Sequence, residues 1–232
     1  GDDCIAIKSG KIYMGKKHKT PSRKISIRHC LMEKGHGAVT IGSEIAGGVK
    51  EVTVSHCMFL NTDRGLRIKT RRGRGKDSIV DGIFFNHISM NEVKSPFVVN
   101  CFYYCDPDGR TEYVGTLEAL PVDDRTPSIR SLHFKDIECK NAHHTGVCIY
   151  GLPEQKVESV VMENVSIEYS PQAREGIAAM MLACEPTCRQ GIFARNVKSL
   201  ELKDVSIQGA VNDYDLENID HYNISPSHAV GK

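Results

Sequence analysis

Two adjacent carboxylates, Asp2 and Asp3, head an apolar alternation in GDDCIAIKSG, residues 1–10. Adjacent like charges repel, and Asp is a poor strand residue. In isolation such a pair reads as a turn or a cap. Paired carboxylates are also what bond hydrolysis at a sugar acetal needs: one protonates the leaving oxygen, and the other activates water or attacks. Three further groups bear on the choice. His36 sits between Gly35 and Gly37, which alone is an ordinary tight turn. Arg67 and Lys69 alternate in LRIKT with Leu66 and Ile68, so the cations point outward where the aliphatics point in. Alone, that alternation reads as a solvated strand face.

The elements that must position these groups repeat along the chain. Six stretches share the order apolar, any, apolar, any, His/Asn/Asp, small apolar or Cys, any, apolar. They start at Ile25 (ISIRHCLM), Val52 (VTVSHCMF), Ile83 (IFFNHISM), Leu132 (LHFKDIEC), Val160 (VVMENVSI) and Leu200 (LELKDVSI). Recurrence at this scale means stacked structural units. Two-residue alternation with β-branched residues means strands. Each repeat is then one coil of a solenoid, with like side chains stacked in its interior. His29, His56, His87, Asp136, Asn164 and Asp204 fall on one ladder and are expected at a corner. A second strand series runs through IAIKS, GAVTIGS, LRIKT, SPFVVNCFYY and TGVCIYG, and TDRGLRIKT aligns with GDDCIAIKS without gaps. The expected fold is all-β: a right-handed parallel β-helix forming a single domain over residues 1–232. A leucine-rich horseshoe is the alternative, but its Leu spacing and Asn signature are missing.

In a solenoid, residues some 30 apart become neighbours, because strands stack about 4.8 Å apart. Asp2–Asp3, His36, Arg67 and Lys69 then share one lateral face. Two carboxylates, an imidazole and two cations together describe a site for an acidic substrate, with Arg able to hold a carboxylate bidentately. The 24 residues CDPDGRTEYVGTLEALPVDDRTPS, 105–128, form a loop long enough to be functional.

Bulk properties narrow the remaining classes. The chain has 232 residues, 40% apolar and 25% charged, with a net charge of +1, so overall charge names no partner. No 18-residue apolar run is present and no signal-peptide pattern opens the chain. Nine cysteines are scattered and odd in number, which fits buried thiols better than a disulfide framework. CFYYC and CEPTC have a loose zinc-like spacing with nothing else to support a metal, and no cofactor is expected. The run RGLRIKTRRGRGK, Arg64–Lys76, holds seven basic residues and no acid. It lacks interleaved aromatics, so nucleic-acid binding is not expected.

The blocks Gly1-Asp2-Asp3, Gly35-His36-Gly37 and Arg67-Ile68-Lys69, in this order and followed by PFVVNCFY at Pro96–Tyr103, resemble glycoside hydrolase family 28, the polygalacturonases. The resemblance runs through essentially the whole chain. It implies a right-handed parallel β-helix and hydrolysis of α-1,4 bonds between galacturonic acid units with inversion. It implies Asp2 as general acid, Asp3 as a carboxylate activating water, and His36 as keeper of the acid's protonation state. It implies Arg67 and Lys69 as ligands of substrate carboxylates, and Tyr103 as a residue lining the site. An ionised Asp3 beside Asp2 would favour a protonated Asp2, while Arg67 and Lys69 pull the other way. For both acids to face substrate, the backbone must bend before Cys4.

The family's first motif, Asn-Thr/Pro-Asp, lies before GDD and has no counterpart here, so N-terminal coils are expected to be missing. The pattern is closer to bacterial exo-acting members, with loop 105–128 as a groove wall. Together with the scattered thiols it favours a cytoplasmic enzyme acting on oligogalacturonides, a secreted or periplasmic one being the alternative. An oligomer is allowed. The competing functional classes are a catalytically inactive fragment or pectin-binding module, and a purely structural β-helix.

Overall fold

The computed structural model describes residues 1–225; residues 226–232 of the expected single domain lie outside the described residues. The described residues form fourteen strands: β1 (Ile5–Ile7), β2 (Ser22–Arg28), β3 (Leu31–Glu33), β4 (Val39–Gly42), β5 (Val49–Leu60), β6 (Arg64–Lys69), β7 (Ile79–Asn91), β8 (Ser95–Asn100), β9 (Ser128–Ile129), β10 (Ser131–Ala142), β11 (Thr145–Tyr150), β12 (Val157–Tyr169), β13 (Gln190–Gln208) and β14 (Asn212–Ser225). Every strand pairing among them is parallel. The order β1-β4-β6-β8-β11-β13-β12-β10-β7-β5-β2 runs down one face and back up another. Strand β13 belongs to both faces because its chain turns the corner at Asn196, where φ is +60°. This is a parallel β-helix. No helix among the described residues is long and apolar enough to cross a membrane.

Both sequence series stack in the expected register. Ile25, Val52, Ile83, Leu132, Val160 and Leu200 pair in succession through β2, β5, β7, β10, β12 and β13. On the other face Ile5, Val39, Leu66, Phe97, Val147 and Ile192 do the same. Alternation thus puts identical side-chain classes one above another in the interior, each worth roughly 1.5–3 kcal/mol of burial. Phe97 bridges the two faces by an edge contact with Phe134, centroids 5.0 Å apart.

The polar ladder forms the corner. His29, His56, His87, Asp136, Asn164 and Asp204 all have φ between +52° and +54°. Asn and Asp tolerate this left-handed region best among residues with a Cβ. Rung-to-rung contacts accompany it: Asn164 Nδ2 donates to Asp136 Oδ1 at 2.7 Å, and the His56 and His87 rings stack at 4.7 Å.

The cysteines follow the expected pattern in part. Cys57, Cys101, Cys139 and Cys148 are buried fillers, all nine thiols are free, and burial pushes Cys101 up to about 12. Cys4 and Cys30 are exposed instead. No group of three or more His, Cys, Asp or Glu among the described residues is arranged to hold a metal.

Candidate active site

The site face carries columns of outward residues, each set by strand register. Asp2 and Asp3 precede the first strand, Cys4 is a bend, and β1 begins at Ile5. The two carboxyl groups meet different partners. Asp2 is exposed, and its Oδ1 accepts from the Asp3 backbone N–H at 2.7 Å. Asp3 points along the stack and is enclosed by cations two coils away: Lys69 Nζ donates to Oδ2 at 2.9 Å, and Arg67 Nη1 to Oδ1 at 3.1 Å.

Burial opposes charge on Asp3, but the Lys69 hydrogen bond and the charges of Lys69 and Arg67 outweigh it and hold the carboxyl below its ordinary value. Lys69 is itself lowered by burial and by Arg67. The flanking glycines of Gly35-His36-Gly37 make this packing feasible. A Cβ on Gly37 would sit 2.8 Å from Asp3 Oδ1, and one on Gly35 would sit 2.4 Å from Cys4 Sγ.

His36 lies next to Asp2, its backbone N–H donating to the Asp2 carbonyl at 3.2 Å. Its Nδ1 is 2.8 Å from Asp63 Oδ2, and Lys94 Nζ donates to the other Asp63 oxygen at 2.8 Å. Burial, followed by the charges of Arg67 and Arg64, keeps the imidazole below its ordinary value despite Asp63. Tyr103 completes the wall, its ring 5.3 Å from Lys69 Nζ and 5.8 Å from Arg67 Cζ; burial raises its phenol. Asp2, Asp3, His36, Arg67, Lys69 and Tyr103 all line one cavity of about 590 Å³. The structure therefore brings all six sequence-expected site residues together.

One expectation needs correction. Arg67 and Lys69 do point out of the coil, but they are not solvated, being only 3% and 8% exposed. Segment 177–181 covers them: Met180 Sδ lies 2.7 Å from Arg67 Nη2 and 3.4 Å from His36 Nε2. Arg64 fastens that segment by donating to the carbonyls of Ala178 at 2.9 Å and Ile177 at 2.8 Å.

The rest of the basic run fastens the other wall. Arg71 donates to Asp108 at 2.8 and 2.9 Å, and Arg74 bridges Ser43 Oγ and Asp106 at 2.9 and 3.1 Å. Arg72 holds Glu154 at 2.6 and 2.9 Å and the carbonyls of Thr116 and Glu118 at 2.7 and 2.9 Å. Cys105 and Asp106 of that loop line the cavity. So the run supplies internal clamps for two loops, and all its basic residues but Lys76 are buried.

Asp63 and Met180 were not anticipated. The alignment of TDRGLRIKT with GDDCIAIKS places Asp63 on Asp2, and that column position was the signal available. Met180 carries no such signal.

Comparison with known proteins places the chain among relatives of one kind. A polygalacturonase described as probable from Vitis vinifera is 27% identical over 75% of this chain and 33% of its own length. An exopolygalacturonase of Rhizopus delemar is 35% identical over 59% of this chain and 31% of its own. An endo-polygalacturonase of Pectobacterium carotovorum is 37% identical over 44% of this chain and 23% of its own. The chain thus spans about a third or less of the length of these relatives, which come from a plant, a fungus and a bacterium. Among solved structures, a hyperthermoactive exopolygalacturonase from Thermotoga maritima superposes with a TM-score of 0.64 at 22% identity, over 90% of this chain and 40% of that one. A family 28 exopolygalacturonase of Yersinia enterocolitica superposes at 0.65 with 14% identity, over 97% of this chain and 36% of that one. The sequence profile of glycosyl hydrolases family 28 matches residues 1–185, and the chain belongs to that family.

Proposed function

We propose that this chain carries the catalytic face of a polygalacturonase that hydrolyses α-1,4 bonds between galacturonic acid units. The observation that carries the reading is the contrast within the Asp2–Asp3 pair. Asp3 is held ionised by Lys69 and Arg67, while Asp2 is open to the cavity. Asp2 is placed to protonate the glycosidic oxygen. Asp3 is the carboxylate that polarises water, since an ionised group can accept a proton and an acid cannot. Inversion, which places a water between the acid and the base, is the outcome we infer for this pair. His36, oriented by Asp63, borders Asp2 and completes the polar network. Arg67 spends Nη1 on Asp3 and Nη2 on Met180 Sδ, and its remaining N–H donors are the ones left for a substrate carboxylate. Tyr103 offers a ring face beside the cations.

Exo action is the mode we infer. Two loops, around 105–118 and 177–181, are clamped over the groove by buried arginines, and walls of this kind close a groove into a pocket. The test is product analysis on polygalacturonate and trigalacturonate. Release of monogalacturonate from the outset, with the anomeric configuration inverted by NMR, is the expected result. Binding without cleavage would show a pectin-binding surface instead. A ladder of mixed oligomers would show endo action.

A further inference from the structure

The cavity holds one lysine that the reading above leaves idle. IAIKS and LRIKT match in sequence, and Lys8 is the counterpart of Lys69. The register confirms the column: Ile7 pairs with Ile41 and Ile41 with Ile68, so Lys8, Gly42 and Lys69 follow on successive coils. The middle rung has no side chain, and none fits. Gly42 has φ +106°, and a Cβ there would meet the Lys69 carbonyl oxygen at 2.0 Å. Two ammonium-bearing rungs thus flank a bare one, roughly 10 Å apart across two strand spacings.

Among the cations lining this cavity, Arg67 and Lys69 are buried and already engaged on Asp3. Lys8 differs, with its side chain 48% exposed. Its partner, Glu44, also lines the cavity and is shared: Lys8 Nζ lies 2.9 Å from one oxygen and Lys11 Nζ 3.3 Å from the other. When Lys8 swings away, Lys11 still compensates Glu44. An exposed pair of this type adds little stability, so exchange for another carboxylate is easy.

We propose that Lys8 binds the carboxylate of an acidic sugar unit next to the one held at Lys69, forming a second uronate subsite across the Gly42 notch. The proposal rests on the polygalacturonase reading of the site. Glu44 acts as a placeholder that keeps the Lys8 ammonium near the notch until a substrate carboxylate displaces it. The subsite selects free acid over methyl ester, because an ester carbonyl carries no charge for the ammonium to meet.

The experiment is calorimetric titration of trigalacturonate and of its fully methyl-esterified form into the parent chain, Lys8→Gln, Lys8→Arg, Glu44→Gln and Lys69→Ala, each checked for native circular dichroism. Lys8→Gln is expected to weaken trigalacturonate by about tenfold, as for loss of one charge-assisted bond, and to leave the ester unchanged. Lys8→Arg is expected to restore most of the affinity, and Glu44→Gln to tighten trigalacturonate by freeing Lys8. Unchanged trigalacturonate affinity in Lys8→Gln, with Lys69→Ala weakened, overturns the subsite alone. Equal losses for acid and ester also overturn it. Failure of the parent chain to bind trigalacturonate overturns the reading of the whole site, and the subsite with it.

Discussion

Lys69 Nζ donates to Asp3 Oδ2 across 2.9 Å, although the two residues are 66 positions apart in the chain. The contact joins the coil that carries the acids to the coil that carries the cations, and Gly37 on the coil between leaves room for the Asp3 carboxylate. It also fixes the charge state of Asp3. Replacing Lys69 by Met strands a mostly buried carboxylate on Arg67 alone. We expect a loss of about 1.5–3 kcal/mol in urea unfolding, the range for a hydrogen bond to a charged group.

That pair has an acid-side signature. The Asp3 carboxyl lies below the ordinary value of 3.8 in the folded chain. Its contribution to stability is therefore complete at pH above 3.8 and is lost as pH falls through the lower folded value. In Lys69→Met the folded value moves back toward 3.8. Unfolding free energy measured between pH 3 and pH 6 should then fall less steeply than in the parent at the acid end. Identical slopes would mean that Asp3 does not feel Lys69.

Asp2→Asn should leave the fold intact, because Asp2 is exposed and only its Oδ1 is used, by the Asp3 amide. Turnover of polygalacturonate should drop by about 10²–10⁴-fold, the usual contribution of a positioned general acid. Reducing-end assays together with trigalacturonate binding separate the two effects: binding persists while rate is lost.

Arg72 and Glu154 form a doubly bonded, buried ion pair that also ties down residues 113–118. Glu154→Gln leaves the guanidinium without its counter-charge at a side chain 1% exposed. A loss of about 3–5 kcal/mol is expected, whereas the double change Arg72→Met with Glu154→Leu should cost much less. Chemical denaturation of the two variants reads this directly. Limited proteolysis near Tyr113 should rise in the double variant, which removes the Arg72 bonds to the Tyr113 and Thr116 carbonyls.

The corner ladder gives a prediction independent of the site. Asp136 sits at φ +53°. Asp136→Gly should be close to neutral, and Asp136→Val should cost about 1–2 kcal/mol because a β-branched side chain clashes in the left-handed region. Thermal unfolding that ranks Val above Gly would refute the conformational account of the ladder.

The sequence alone determined the repeat, the strand registers and six residues that come to line one cavity. It could do so because a solenoid repeats its interior. Ile25 and Leu200 are 175 positions apart, yet each occupies the same inward place on its own coil, so period-two alternation survives in the text. The motifs around Asp2–Asp3, His36 and Arg67–Lys69 were legible for the same reason, since column position follows from the nearest inward aliphatic. Strand β14 was not legible. Among the described residues it pairs only with β13, and its largely exposed side chains need no apolar pattern. Only the tertiary structure decided the environment of the cations. Alternation says that Arg67 and Lys69 point out, not what covers them. The cover comes from Met180 and Tyr103, and the clamps on the two loops come from Arg64, Arg71, Arg72 and Arg74. A basic run that reads as a surface patch is thus spent inside, on carbonyls and carboxylates that are distant in sequence. Burial and ion pairing depend on those distant partners, and local alternation carries no record of them.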